Sequence, residues 1–115
     1  MNPTSVIRAL GNSVPFVCES TGVNSDTTKV VLDSPGVLVH AKVFTNGNAE
    51  NDATLIIYDN DSAATGTELD KYIVEGTDHT GGGMNIFANA KKGITVSLSG
   101  TGASWILHFM RTLTA

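Results

Sequence analysis

Acidic residues cluster in one stretch of the chain, in the order Asp59, Asp61, Glu68 and Asp70. Clustered carboxylate oxygens are the ligands that Ca²⁺ takes in proteins, so this stretch is the first candidate for a metal site. Its spacing departs from the EF-hand loop, because Ala63 stands where an oxygen ligand is expected and Asp70 where a bidentate Glu is expected. Asx turns explain the stretch better. We therefore predict no metal here.

The candidates for zinc binding or nucleophilic catalysis are the three histidines and the single cysteine, which are His40, His79, His108 and Cys18. No ligand spacing such as His-x-x-x-His is present. His40 and His108 fall in predicted strands and can face each other, but a solvent-facing or interface histidine is the simpler interpretation. Cys18 alternates with apolar residues two and four positions earlier, which favours packing in the core. We predict no catalytic residue, no metal site and no cofactor.

A run of three glycines at residues 81–83 has only a superficial likeness to a phosphate-binding loop. The lysine and serine of a P-loop are absent and no predicted helix follows. Serines are plentiful, but none lies in a Gly-x-Ser-x-Gly elbow. Residues 76–83 are therefore predicted to be a loop, and this loop and residues 46–52 are expected to become ordered on a partner surface.

The elements that position these side chains are predicted to be strands. Charged residues make up only 16% of the chain, and no window shows the charged outer stripe of a soluble helix. Apolar and polar residues alternate at 94–99 and again at 104–111. About eight strands at a spacing of ~8 to 12 residues predict an all-β fold, an antiparallel β-sandwich or jelly-roll-like domain over residues 1–115. Residues 1–11 form an N-terminal arm or edge strand in this prediction.

Residues 30–58 organise the predicted fold as a β-hairpin or a pair of neighbouring strands. Strict alternation places one small aliphatic set on one face of the first strand, namely Val37, Val39, Ala41 and Val43. It places a mixed set on the other face, namely Leu38, His40, Lys42 and Phe44. The second strand is also apolar on both faces, with Ile56 and Tyr58 opposite Leu55 and Ile57. We expect such a mixed face to be covered by a loop or a neighbouring subunit.

Composition excludes several classes of function. The formal net charge of −4, from 7 basic and 11 acidic residues, provides no positive surface for nucleic acid. A single cysteine cannot form an intramolecular disulfide, which fits assembly in a reducing compartment such as the cytoplasm. The first residues have no basic and apolar signal pattern, and no apolar run is long enough to cross a bilayer. Neither secretion nor membrane insertion is predicted.

Three segments resemble small virion proteins of tailed bacteriophages, particularly head-decoration (cement) proteins. They read DSPGVLVHAKVFTNG, ATLIIYDNDSAATGTEL and KKGITVSLSGTGASWILHF, with a glycine-rich segment before the third. The resemblance implies a β-sandwich that forms a homotrimer and sits at capsomer junctions of the capsid. The chain departs from fibre-tip proteins because it has no coiled-coil, helical or collagen-like stem.

The function predicted from the sequence is that of a non-enzymatic structural protein that binds itself and the major capsid protein on the virion surface. The residues predicted for subunit contact are Leu38, Phe44, Ile56 and Tyr58. The residues predicted for capsid contact are Val6, Ile7, Arg8, Leu10, Asn48, Asp78 and His79. The alternative is a receptor- or carbohydrate-binding module of a phage tail, in which an exposed Trp or Tyr stacks on a sugar. A hydrolase is a third class, but it needs a catalytic dyad that the sequence does not display.

Overall fold

A computed structural model describes residues 17–22 and 27–112, with the side chains described for residues 28–82 and 86–112. The described residues form eight β-strands: β1 (Val17–Gly22), β2 (Thr27–Leu32), β3 (Gly36–Phe44), β4 (Ala53–Asp59), β5 (Thr67–Val74), β6 (Thr80–Ala90), β7 (Ile94–Ser99) and β8 (Ser104–Arg111). A short 3-10 turn, Gly76–Asp78, precedes β6. The all-β prediction is confirmed. The predicted arm at residues 1–11 lies outside the described residues.

The strands build two four-stranded antiparallel sheets that face each other. The first sheet, called sheet A, has the order β1-β8-β3-β6, and the second, sheet B, has the order β2-β7-β4-β5. This order is that of an eight-stranded jelly roll, in which the chain passes from one sheet to the other at most connections. Of the described strands, only β4 and β5 are consecutive in sequence and also paired.

The relationship between β3 and β4 differs from the prediction. They were predicted to form a hairpin or a pair of neighbouring strands, but β3 lies in sheet A and β4 in sheet B. Each strand turns one apolar face inward, so the two strands pack face to face across the core. The connection at residues 45–52 crosses from one sheet to the other, and the hairpin prediction was wrong.

Among the side chains that the structure describes, the buried core between the sheets is aliphatic apart from Trp105 and Phe109. Its inward residues alternate along the central strands β4, β7 and β8, as expected where one face of a strand is buried. Those exposed by 1% or less are Ala53, Leu55, Ile57, Ile94, Val96, Leu98, Trp105, Leu107 and Phe109. The predicted alternation at 94–99 and 104–111 is confirmed by this pattern.

A β-bulge at Val39 changes which face of β3 points into the core. Between Leu38 and His40 the pairing of β3 with β8 shifts register, because β3 advances by two residues while β8 advances by one, from Phe109 to His108. One extra residue reverses the alternation of every residue beyond it. Leu38 therefore points into the core together with Ala41 and Val43, and all three are 0% exposed. The predicted grouping of Leu38 with His40 was wrong for this reason.

The glycine-rich segment forms a strand where a loop was predicted. Gly81 and Gly82 belong to β6 and pair with Val43 and Lys42 of β3. A Cβ atom at Gly81 would lie 2.2 Å from Cγ2 of Val74, and one at Gly82 would lie 2.6 Å from the carbonyl oxygen of Ala41. Glycine thus allows β6 to approach the end of β5 closely. The loop prediction was wrong for residues 80–83.

Candidate interaction surfaces

The outer face of sheet A carries a mixed apolar and basic surface, here called the histidine face. Its residues alternate with the core residues of β3 and β8 and are half-buried; they are His40, Lys42, Phe44, Ile106, His108 and Met110. In the ladder, His40 stands opposite His108 and Lys42 opposite Ile106. The mixed face predicted from the sequence therefore exists, but without Leu38.

Two contacts that involve aromatic rings lie on the histidine face. The rings of His40 and His108 meet edge to face, with 5.5 Å between their centroids, which confirms the prediction that they can face each other. The ammonium of Lys42 lies 5.6 Å from the centroid of the Phe44 ring, within the range of a cation–π contact. Among the side chains that the structure describes, no three of the types His, Cys, Asp and Glu are grouped for a metal.

The outer face of sheet B carries a strip of apolar side chains, here called the isoleucine face, in which Lys71 and Glu68 of β5 stand opposite Ile56 and Tyr58 of β4. It comprises Ile56 and Tyr58 on β4, Ile73 on β5 and Val30 on β2. β7 separates β2 from β4 and carries hydroxyl side chains here; that of Thr95 is 0% exposed and donates to the carbonyl oxygen of Asn60 at 2.8 Å. Ile73 is 70% exposed and Val30 39% exposed, so both leave apolar surface in water.

The residues predicted for subunit contact do not lie on one surface. Leu38 is 0% exposed in the core, so its side chain has no surface to offer a partner, and this prediction was wrong. Phe44 lies on the histidine face, whereas Ile56 and Tyr58 lie on the isoleucine face. Because the two faces are on opposite sheets, a single flat contact cannot include Phe44 together with Ile56.

The loops 45–52 and 75–79 pack together at one end of the sandwich. The backbone N–H of Thr45 donates to the carbonyl oxygen of His79 at 2.7 Å, and the Thr45 hydroxyl donates to that of Gly76, also at 2.7 Å. The N–H of Gly76 donates to Oδ1 of Asp52 at 2.9 Å. This end of the molecule, formed by residues 45–52 and 75–79, is called the loop end below.

The residues predicted for capsid contact divide into two groups. Asn48, Asp78 and His79 are exposed and lie at the loop end, where a Cβ atom at Gly47 would lie 2.7 Å from the His79 ring. The remaining residues lie outside the described part of the chain; they are Val6, Ile7, Arg8 and Leu10. Contact of either group with a capsid stays a prediction.

The acidic stretch includes the turn after β4, at the end of the sandwich opposite the loop end. Asp59 binds this turn to the connection between β6 and β7. Both carboxylate oxygens of Asp59 accept hydrogen bonds, from the backbone N–H groups of Lys91, Lys92 and Gly93, at 3.0, 2.8 and 3.4 Å. Oδ1 of Asn60 accepts from the N–H groups of Ser62 and Ala63, which confirms the Asx-turn interpretation. The sequence did not reveal the partners of Asp59, because they lie more than 30 residues away in the chain.

The environment of Asp59 favours its ionised form. Partial burial raises the pKa of the carboxyl group, but the hydrogen bonds from Lys92, Lys91 and Gly93 and the positive charge of Lys92 outweigh it. The pKa is consequently lower than its ordinary value of 3.8. The hydrogen bonds of this carboxylate link the connection after β4 to the connection between β6 and β7, and they are strongest when the carboxylate is charged.

Tyr72 and Asp70 form a second polar pair that sequence reasoning missed. The Tyr72 hydroxyl donates to a carboxylate oxygen of Asp70, two residues earlier on β5. Burial, this hydrogen bond and the charge of Asp70 all raise the pKa of Tyr72. The Tyr72 ring also lies against Gly82, so the pair covers the open side of the sandwich between β5 and β6. Its role is structural.

Trp105 does not serve as a sugar-stacking residue. Its side chain is fully buried, and the indole N–H has no hydrogen-bond partner among the described residues. The ammonium of Lys29 lies 6.0 Å from the ring centroid. The core interpretation of Trp105 is confirmed, which leaves the carbohydrate alternative with the half-buried Tyr58.

No protein-family model matches the sequence, and no curated protein matches it significantly. Within the described residues, no helix has the length and apolar character needed to cross a membrane.

Proposed function

We propose that this protein is a non-enzymatic structural component of a tailed-bacteriophage virion, a capsid decoration protein that forms a homotrimer and stabilises the head at capsomer junctions. The observation that carries the proposal is the isoleucine face, where Ile73, Ile56 and Val30 leave apolar surface on one side of a rigid sandwich. A contiguous apolar patch rimmed by polar residues marks an interaction surface, and here Lys71 and Glu68 border the apolar side chains. The jelly-roll fold, which capsid proteins and lectins share, is compatible with this role but does not by itself imply it.

Self-association is assigned to the isoleucine face. Ile73 lies on β5, which is an edge strand of sheet B, and Ile56 lies one strand inward at a diagonal position. Diagonal neighbours on one sheet face are about 7–8 Å apart, close enough to form one apolar patch. A patch at the edge of a sheet suits a threefold axis, because three edges can converge there without stacking the sheets into an open fibre.

Attachment to the shell is assigned to the loop end and to the N-terminal residues. The loop end presents exposed polar side chains on loops fixed by backbone hydrogen bonds, so little conformational entropy is lost on docking. A protein that binds only the assembled shell stabilises that shell by mass action. An interface of roughly 1,200–2,000 Å² is the usual size for such specific attachment.

Two measurements test this proposal. Light scattering coupled to size exclusion is expected to give the mass of a trimer. Co-sedimentation with phage heads that lack their decoration protein is expected to show saturable binding and a raised temperature of head disruption. A monomer that ignores such heads would contradict the proposal. Saturable binding on a glycan array, without binding to heads, would instead support the receptor-binding alternative.

A further inference from the structure

Asn46 and Gly47 lie in the loop that follows β3, and they are the only Asn-Gly pair in the chain. In such a pair the backbone nitrogen of the glycine can attack the side-chain carbonyl carbon of the asparagine, because no side chain on the glycine obstructs the approach. The attack closes a cyclic imide, a succinimide, and releases ammonia. Asn46 is exposed, so water can reach this imide and open it. The loop end therefore contains a sequence that can modify itself.

The imidazole of His79 lies against Gly47. A Cβ atom at Gly47 would be 2.7 Å from Cε1 of the ring and 3.2 Å from Nδ1, so only glycine leaves room for the ring. His79 has a φ of 66°, which is a strained backbone conformation for a residue with a side chain. The N–H of Thr45 donates to the carbonyl oxygen of His79 at 2.7 Å and holds it there. The ring is thus placed to accept the proton of the Gly47 nitrogen, directly or through one water.

Two further hydrogen bonds involve the reacting groups. Oδ1 of Asn46 accepts from the backbone N–H of Asn48 at 3.0 Å. This bond polarises the side-chain carbonyl and stabilises the negative charge that develops on the oxygen during the attack. The N–H of Gly47 donates to the hydroxyl oxygen of Thr45 at 3.2 Å. Because a hydroxyl group can rotate, the same oxygen can donate to the nitrogen once its proton has left.

We propose that the loop end is a self-modification site, in which Gly47 attacks Asn46 and His79 is the general base. The bond between the Gly47 nitrogen and Cγ of Asn46 forms as the imidazole takes the proton of that nitrogen. The bond from Cγ to Nδ2 then breaks, the imidazolium returns the proton to the leaving nitrogen, and ammonia departs. Water adds to either carbonyl of the succinimide and gives aspartate or isoaspartate at position 46. This chemistry is independent of the virion role.

The product changes the charge of the loop end. Residues 45–52 and 75–79 contain no lysine or arginine. Their carboxylates are all exposed and belong to Glu50, Asp52, Glu75 and Asp78. Conversion of Asn46 adds one more negative charge to this group, and the isoaspartate form also routes the main chain through the side chain. The surface that the proposed function assigns to shell attachment would therefore become more acidic as the protein ages.

The first experiment incubates the full-length folded protein at neutral pH and compares it with the same chain unfolded in guanidinium chloride. Peptide mass spectrometry and enzymatic methylation of isoaspartate follow each asparagine. We expect Asn46 to react at least ~10-fold faster in the folded protein, since a positioned general base typically contributes ~100-fold or more. Asn48 and Asn51 are internal controls in the same loop and are expected to stay intact. A folded rate equal to or below the unfolded rate would overturn the proposal.

The second experiment removes the base. His79→Asn keeps a residue type that tolerates positive φ but has no group to take the proton. We expect the rate at Asn46 to fall about 10-fold and added imidazole to restore part of it. Asp78→Asn is the matched control, because Asp78 is the exposed neighbour of His79, and its rate is expected to equal that of wild type. Circular dichroism verifies that both variants are folded. An unchanged rate in His79→Asn, or an equal loss in Asp78→Asn, would overturn the proposal.

Discussion

His40 and His108 stand directly opposite each other on two central strands of sheet A, and their rings meet edge to face on the outer surface. They are 68 positions apart in the chain and are brought together by the non-local pairing of β3 with β8. The contact between the two rings is therefore a product of the strand pairing of the fold.

The imidazole pair is expected to contribute to stability. Edge-to-face aromatic pairs contribute about 0.5–1.5 kcal/mol beyond burial. A double-mutant cycle of His40→Ala and His108→Ala, measured by urea unfolding, should therefore give a coupling of about 0.5–1 kcal/mol. The pair His40 and His79 is the control and should be additive within about 0.3 kcal/mol. Additive behaviour of His40 and His108 would contradict a direct contact.

Leu38→Ala tests the position of the bulge in β3. Because Leu38 is 0% exposed, truncating it leaves a cavity and should cost about 2–5 kcal/mol in the free energy of unfolding. Phe44→Ala, on the half-buried outer face, should cost less than half as much. Chemical unfolding of both variants checks this, and a small effect for Leu38→Ala together with a change in oligomer mass would support the original subunit-contact prediction.

Asp59→Asn tests the turn that joins β4 to the connection between β6 and β7. The amide accepts hydrogen bonds from Lys91 and Lys92 less strongly than a carboxylate, so we expect a loss of about 1 kcal/mol at neutral pH, reduced by solvent screening. The folded pKa of Asp59 lies below the unfolded value near 3.8. Its stabilising effect is therefore complete above that value and is lost as pH falls through the folded pKa.

The difference in unfolding free energy between wild type and Asp59→Asn should therefore depend on pH. Wild type and Asp59→Asn should differ at pH 7 and converge at the acid end of the range. Asp61→Asn, an exposed neighbour in the same loop, serves as the control. A difference between wild type and Asp59→Asn that is constant at every pH would show that the charge of Asp59 is not responsible.

Gly82→Ala tests the close approach between β6 and the backbone of β3. Both Gly82 and Gly66 have positive φ, of 81° and 94°, so alanine is strained at either position. Only at Gly82 would the new Cβ atom meet a backbone oxygen at 2.6 Å, whereas at Gly66 the nearest atom is 3.9 Å away. We expect Gly66→Ala to cost about 1 kcal/mol and Gly82→Ala clearly more. Equal losses in thermal unfolding would place residue 82 in a loop, as the sequence alone suggested.

Ile73→Glu tests the isoleucine face. Ile73 is 70% exposed, so the substitution should leave the unfolding free energy of the isolated subunit nearly unchanged but bring three carboxylates together in a trimer. Light scattering should report a shift toward monomer that is partly reversed by high salt. Phe87→Glu is the matched control, because Phe87 is 59% exposed on β6 of the other sheet. If Phe87→Glu dissociates the oligomer and Ile73→Glu does not, the contact lies on sheet A.

The sequence by itself determined the all-β class, the core faces of β7 and β8, and the Asx turn near Asn60. These features depend on local patterns, which are alternation with a period of two and side chains that bond to their own backbone. It also indicated that His40 and His108 can meet, since each lies in a strand where its side chain alternates with core residues and points outward.

Only the tertiary structure decided which strands pair, where Leu38 points and what residues 80–83 form. A bulge at Val39 is a property of the pairing of β3 with β8, so alternation within one strand cannot reveal it. Residues 81–83 read as a loop because glycine has no side chain to show a pattern, yet that same lack lets β6 lie against Val74 and Tyr72. Pairing, bulges and close approaches are non-local, and they arise only when distant segments compete to bury the same apolar surface.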